Sequence, residues 1–315
     1  MMMKKLAGIL LAVTLVFSMA GCGAVSVDGE TSKSSDDSSA SEGGSENAGS
    51  GAVGLAISTL NNPFFVTLSE GAQAAAKEQN IDLIVVDAGD DAAKQTNDIE
   101  DLISRNISVL IVNPVDSDAV APAVKDAVAK GIKVVSVDRV VNGVDVDCAI
   151  ASDNVAGAAA ATEYLVSLIG EGAKVAELQG VSGASATIDR GEGFHKVADE
   201  KLNVVSSQTA NFNRSEGMTV MENMLQANAD IQGVFAHNDE MALGAVEAIG
   251  GKEIVVVGFD ATDDAMTAVS EGRMAATVAQ KPDLMGATAV ETAVKLIAGE
   301  TVDKEIPVEV ELVTE

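Results

Sequence analysis

Tryptophan is absent from the 315 residues, tyrosine occurs once, and seven phenylalanines supply the rest of the aromatic content. Basic residues are also scarce, 20 against 48 acids, and the formal charge is −28. It becomes −30 once residues 1–21 and their two lysines are removed. A field of that sign repels nucleic acid and anionic lipid, so neither is an expected partner. The two histidines, His195 and His237, lack H-E-x-x-H spacing, and the two cysteines, Cys22 and Cys148, form no cluster. No metal site is expected, and no cofactor. Cys148 lies in an apolar run and reads as a buried small hydrophobe, with no disulfide in the mature domain. No G-x-S-x-G elbow or Walker loop occurs, and 48 acids make any imagined carboxylate pair uninformative. The sequence gives no reason to expect an enzyme.

The chain begins with an export pattern. Lys4 and Lys5 precede an apolar stretch over residues 6–17, too short to span a bilayer comfortably. Met19-Ala20-Gly21-Cys22 then resembles a lipobox, which implies cleavage after residue 21, lipidation of Cys22 and a single-lipid anchor rather than a span. Residues 22–51 are rich in Ser, Gly, Asp and Glu and read as a disordered tether. Within it Gly49-Ser50-Gly51-Ala52-Val53-Gly54 matches a dinucleotide fingerprint, but it precedes a strand instead of following one and is rejected.

From residue 52 onward, short Val/Ile-rich runs alternate with longer amphipathic ones. Strands are expected over 53–58, 83–87, 109–113, 133–138, 174–178, 204–209, 233–236, 254–259 and 275–279, with helices over 67–79, 92–105, 119–130, 154–169, 215–226 and 283–298. Continuous apolar strands separated by helices predict an α/β fold with doubly wound parallel sheets. The length exceeds one ordinary core, so two lobes are expected, with the apolar run 145–153 as the internal break.

The polar and aromatic residues fall in a pattern. Ser58-Thr59-Leu60-Asn61-Asn62-Pro63-Phe64-Phe65 follows the first strand and reads as a strand-to-helix loop carrying two adjacent phenylalanines. Asp138 and Arg139, Arg190, Phe212, Asn238, Asp260 and Gln280 stand beyond or at the ends of later strands. In open α/β sheets the ligand crevice lies outside those carboxyl ends. An Asp or Asn in such a place is often only a helix cap. Carboxylates, guanidiniums and amides gathered with three aromatic walls instead suit a small polyhydroxylated ligand.

These residues carry a resemblance. The 58–65 segment, Val137-Asp138-Arg139, Ile150-Ala151-Ser152-Asp153-Asn154, Arg190-Gly191-Glu192-Gly193-Phe194, Asn238-Asp239-Glu240-Met241-Ala242-Leu243-Gly244-Ala245, Val257-Gly258-Phe259-Asp260 and Ala279-Gln280 closely resemble the bacterial D-ribose-binding proteins, solute-binding subunits of sugar ABC importers. The resemblance implies a type I periplasmic-binding-protein fold, two Rossmann-like lobes joined by a three-strand hinge. It places the lobes at 52–152 plus 281–309 and 153–280 plus 310–315. It implies that Asn62, Phe64, Phe65, Asp138, Arg139, Arg190, Phe212, Asn238, Asp260 and Gln280 contact D-ribose in an interlobe cleft that closes about its hinge. A membrane permease would receive the sugar, and a chemoreceptor is a compatible second receiver. The implied state is a monomer held at the outer face of the cell membrane by its lipid. His237, standing where familiar sequences have Gln, and Ile188-Asp189 depart from the pattern beside the site. The alternatives are another monosaccharide, an autoinducer-type furanose, or a sensory role. A sugar-sensing repressor shares the architecture but would carry a basic DNA-binding head, and a secreted glycoside hydrolase would have to turn over a ribosyl substrate.

Overall fold

A computed structural model describes residues 51–314. The expected signal segment, the lipobox cysteine Cys22 and nearly all of the tether lie outside the described residues. The elements follow in the order β1 (Val53–Ile57), α1 (Pro63–Glu78), β2 (Leu83–Asp87), α2 (Ala92–Ser104), β3 (Val109–Val112), α3 (Ala121–Ala129), β4 (Lys133–Val137), β5 (Cys148–Ser152) and α4 (Asn154–Ile169). There follow β6 (Lys174–Gln179), α5 (Ser185–Lys201), β7 (Asn203–Thr209), α6 (Arg214–Ala227), β8 (Gly233–Ala236), α7 (Asp239–Ile249), β9 (Val255–Asp260), α8 (Asp263–Ser270), β10 (Ala276–Ala279), α9 (Pro282–Ile297), β11 (Glu305–Val308) and β12 (Glu311–Val313).

The strands form two six-stranded sheets, ordered β11-β5-β4-β3-β1-β2 and β12-β10-β9-β8-β6-β7. The first is wholly parallel. The second is parallel except for β12, which runs antiparallel to β10. Period-two side-chain alternation gives each sheet two buried faces. Val53, Leu55, Ile57, Val109, Ile111 and Val135 enter one core, while Ala56, Leu110, Val112 and Val134 enter the core behind them. In the second sheet Leu178, Val234 and Val256 face one way and Val175, Phe235, Val257 and Phe259 the other. Cys148 is a buried free thiol inside the first core.

Three passages join the sheets: β5 into α4, β10 into α9, and β11 into β12. The chain reverses its direction of strand addition between β1 and β3 in one sheet, and between β6 and β8 in the other. Those switch points set a crevice beyond the strand ends.

One expectation needs correction. The 58–65 stretch is not loop throughout, because Asn62 Oδ1 accepts a hydrogen bond from Phe64 N at 3.0 Å and Pro63 occupies the first helical position. Both features start a helix, so Phe64 and Phe65 lie on the first turn of α1. The apolar run 145–153 contains β5, the last strand before the chain passes through α4 to the second sheet, and two short strands near the C-terminus, β11 and β12, complete the sheet edges.

Candidate functional site

Nine of the ten expected residues line one cavity: Asn62, Phe64 and Phe65 from the start of α1, Asp138 and Arg139 after β4, Arg190 on α5, Phe212 before α6, Asn238 before α7, and Asp260 at the end of β9. The side chains close in on one another, so the space left among them is small. Gln280, the tenth, stands behind Asp260 and donates Nε2 to its Oδ1 at 2.7 Å. All ten are buried, none more than 9% exposed. Two carboxylates and two guanidiniums withheld from water in one small space are costly unless something there uses them.

Each cation is held by several groups. Arg190 donates Nε to Asn154 Oδ1 at 2.8 Å and Nη1 to the His237 carbonyl at 2.6 Å, and lies 3.9 Å above the ring of Phe259. Its Nη1 is 3.7 Å from Asp260 Oδ1. Arg139 donates Nη1 to the Pro114 carbonyl at 2.8 Å. Its guanidinium sits between Phe65 at 5.0 Å and Phe212 at 5.2 Å, one ring from each sheet's side of the crevice. Burial lowers the pKa of Arg139, and Asp138 beside it works against that. Burial also raises the pKa of Asp138 and Asp260; Arg139 and Arg190 oppose the rise at Asp138, and Arg190 at Asp260.

Several polar atoms of the cluster have no hydrogen-bond partner in the protein: Asp138 Oδ1, Arg139 Nε and Gln280 Oε1. Arg139 Nε lies 3.5 Å from Asp138 Oδ2, an ion pair without hydrogen-bond geometry. Asp138 Oδ1, an acceptor, and Arg139 Nε, a donor, are thus left over on residues lining the cavity, as a ligand bearing several hydroxyls would use them. Three lining residues adopt positive φ without being glycine: Asp138 at 65°, Phe212 at 58° and Asp260 at 125°. Such backbone is strained and concentrates at binding sites.

The structure adds residues that sequence reasoning missed. Ala186 lines the cavity one helical turn before Arg190, a spacing that places both on one face. Asn113 follows β3 and donates Nδ2 to Asp138 Oδ2 at 3.1 Å and to the Val137 carbonyl at 3.2 Å; the strand-end rule would have found it. Gly180 permits the Phe212 ring to pack on the backbone, since a Cβ there would overlap the ring. Beneath α5, Glu177 Oε1 lies 2.9 Å from His237 Nε2. Burial pushes Glu177 up, but His237 and His195 outweigh it and bring the carboxyl below its ordinary range. Burial holds the pKa of His237 below its ordinary value, with the Glu177 carboxyl opposing the shift. Among the described residues no cluster of metal-ligating side chains occurs.

Two sheets joined by three passages, with a closed polar cavity at their switch points, define a two-lobed solute-binding architecture. The chain belongs to the periplasmic binding protein domain family, which matches residues 53–301. It is 50% identical over 265 residues to the ribose import binding protein of Bacillus subtilis, covering 84% of this chain and 87% of that one. It is 49% identical to the ribose import binding protein of Escherichia coli, covering 83% and 90%. Among solved structures, the fold matches a Bacillus halodurans ABC transporter solute-binding protein with bound myo-inositol, at a TM-score of 0.80 and 34% identity over 85% of this chain and 96% of that one.

Proposed function

We propose that this chain is the D-ribose-binding subunit of an ABC importer, acting outside the cytoplasm and delivering the sugar to a membrane permease. The observation that carries the reading is the lining itself: buried, and made of two acids, two guanidiniums and amides, with Asp138 Oδ1 and Arg139 Nε left without partners. Identity near one half to ribose import binding proteins of two organisms supports the choice of sugar. The lobes are placed at 52–152 plus 281–309 and 153–280 plus 310–315, in keeping with sheet membership.

In this reading Phe64 and Phe65 cover one face of the ring and Phe212 the other. Asp138 and Asp260 accept hydroxyl protons, Arg139 and Arg190 donate, and Asn62, Asn238 and Gln280 fix orientation. All ten residues are buried, so entry requires the lobes to part and recapture requires them to close. A pentose has about ten non-hydrogen atoms, and tiny ligands gain at most about 1.5 kcal/mol per atom. Sub-micromolar affinity, near −8 to −10 kcal/mol, lies within that ceiling.

Calorimetric titration of the chain from residue 51 with ribose, allose, xylose and galactose tests the proposal. Tight one-to-one binding of ribose is expected. Silence with ribose beside a response to another sugar would refute the sugar and keep the site. Anchoring through Cys22 belongs to the same proposal, and no helix among the described residues is long and apolar enough to cross a membrane. Cys22→Ser should move the exported protein from the membrane fraction to the medium; unchanged partition would refute lipidation.

A further inference from the structure

Beside the sugar cavity the two lobes touch at a second place. The β3–α3 loop of the first lobe meets the turn between β6 and α5 of the second. Ser117 N donates to the Gly183 carbonyl at 2.8 Å, and Ser117 Oγ accepts from Ser185 N at 3.2 Å. Ser185 Oγ in turn accepts from Val140 N, on the loop after β4, at 3.1 Å. Ser117 and Ser185 are both buried.

The helix end involved is short of a cap. Residue Ala184 at the N-cap of α5 offers no side-chain acceptor. The first four N–H groups of any helix lack intrahelical partners. Here one of them, Ser185 N, is satisfied by a serine from the opposite lobe. α5 is also the helix that carries Arg190. Backbones approach so closely at this point that a Cβ on Gly183 would overlap the Asp116 carboxyl. Asp116 cannot simply swing aside, because its Oδ1 accepts from Asp118 N at 2.9 Å and Ala119 N at 2.8 Å.

We infer that Ser117 and the Gly183–Ser185 turn form a closure latch, in which Ser117 caps α5 across the cleft only when the lobes are together. The inference rests on the closure reading above. None of Ser117, Gly183 or Ser185 lines the sugar cavity. The latch adds to ligand affinity by stabilising the closed form, and it steadies the helix holding Arg190 at the moment the sugar is enclosed. Ser117, Gly183 and Ser185 are therefore positioning residues.

The test uses wild type, Ser117→Ala, Gly183→Ala, Asp116→Ala and the Asp116→Ala/Gly183→Ala double variant. Ribose affinity is measured by calorimetry, closure by the change in radius of gyration on saturation, and sugar-free stability by thermal melting. Loss of a cap should weaken binding about 2- to 30-fold in Ser117→Ala. Overlap should weaken it about 5- to 150-fold in Gly183→Ala. The sugar-free melting temperature should stay put in both, since the open form does not make these contacts. The double variant should recover affinity, because removing the Asp116 carboxyl relieves the two closest overlaps and leaves its Cβ 3.1 Å from the added methyl. A mere folding defect would not be rescued in that way.

A wild type that contracts on ribose, beside variants that bind as tightly as it does, overturns the latch alone. So does weakened Gly183→Ala binding that the double variant fails to restore. A wild type that binds without contracting overturns the closure reading and the latch with it. If wild type ignores ribose, the proposed sugar falls, and the same comparison is made with whichever sugar of the panel it binds.

Discussion

Replacing Asp260 by Asn changes one charge and almost no volume, and the structure fixes how the amide must sit. Gln280 Nε2 donates to Asp260 Oδ1 at 2.7 Å, so the Asn oxygen stays there and its NH₂ takes the place of Oδ2. A sugar hydroxyl that donated to Oδ2 then meets a donor. Hydrogen bonds to charged groups contribute about 1.5–3 kcal/mol and neutral ones about 0.5–1.5. Losing one such acceptor and weakening its neighbour should cost about 2–3 kcal/mol, roughly 30- to 150-fold in ribose affinity. Ribose affinity within threefold of wild type would refute the reasoning.

Arg139→Met keeps an apolar stem between Phe65 and Phe212 but removes the guanidinium that both rings face at 5.0 and 5.2 Å. Calorimetry should show ribose binding weakened by about 2–4 kcal/mol, and Arg139→Lys should not restore it, since an ammonium lacks the flat face; a Lys variant near wild type would count against the stacking role. Asp239 is buried at the start of α7, accepts from Thr262 N at 2.8 Å and Thr277 Oγ1 at 2.7 Å, and is pushed up to about 7 by burial. Its contribution is present below pH 3.8 and lost as pH rises toward 7, a change worth up to ~4 kcal/mol. Asp239→Asn should flatten the stability profile across that window; an unaltered slope in denaturation between pH 4 and 7 would remove Asp239 as its source.

Much of the fold is legible because parallel strands buried on both faces read as unbroken Val/Ile runs, and the helices between them as amphipathic ones. Where legibility fails, the cause is physical. β11 and β12 are four and three residues long and exist through pairing with β5 and β10, far away in the chain. α5 reads poorly as a helix because its buried face includes Ser185, Thr187 and Arg190 beside Phe194 and Val197; the residues that serve the site interrupt the apolar stripe. At the start of α4 Asp153 accepts from Ala156 N and serves as the cap, which leaves Asn154 Oδ1 free to accept from Arg190 Nε. Gly180 and Gly183 had no sequence signal, since each is glycine on account of a partner remote in sequence.

The two halves match in position more than in sequence. Read with corresponding numbers, β11-β5-β4-β3-β1-β2 and β12-β10-β9-β8-β6-β7 are the same order. Within that frame an asparagine follows the third strand of each half, Asn113 and Asn238, and an aspartate follows or ends the fourth, Asp138 and Asp260. Both aspartates have positive φ, both have a pKa raised by burial, and both sit within an ion pair to an arginine. A ring held between such halves is offered one carboxylate from each side. Asp138→Asn should then mirror Asp260→Asn. Asn113 Nδ2 already donates to Asp138 Oδ2 at 3.1 Å, so the amide oxygen is held there and its NH₂ replaces the partnerless Oδ1. Ribose affinity should fall by about 2–3 kcal/mol. If one aspartate proved dispensable for binding while the other did not, the positional correspondence would be a property of the scaffold alone, and the site would have to be read as a one-sided cup against which the second lobe merely closes.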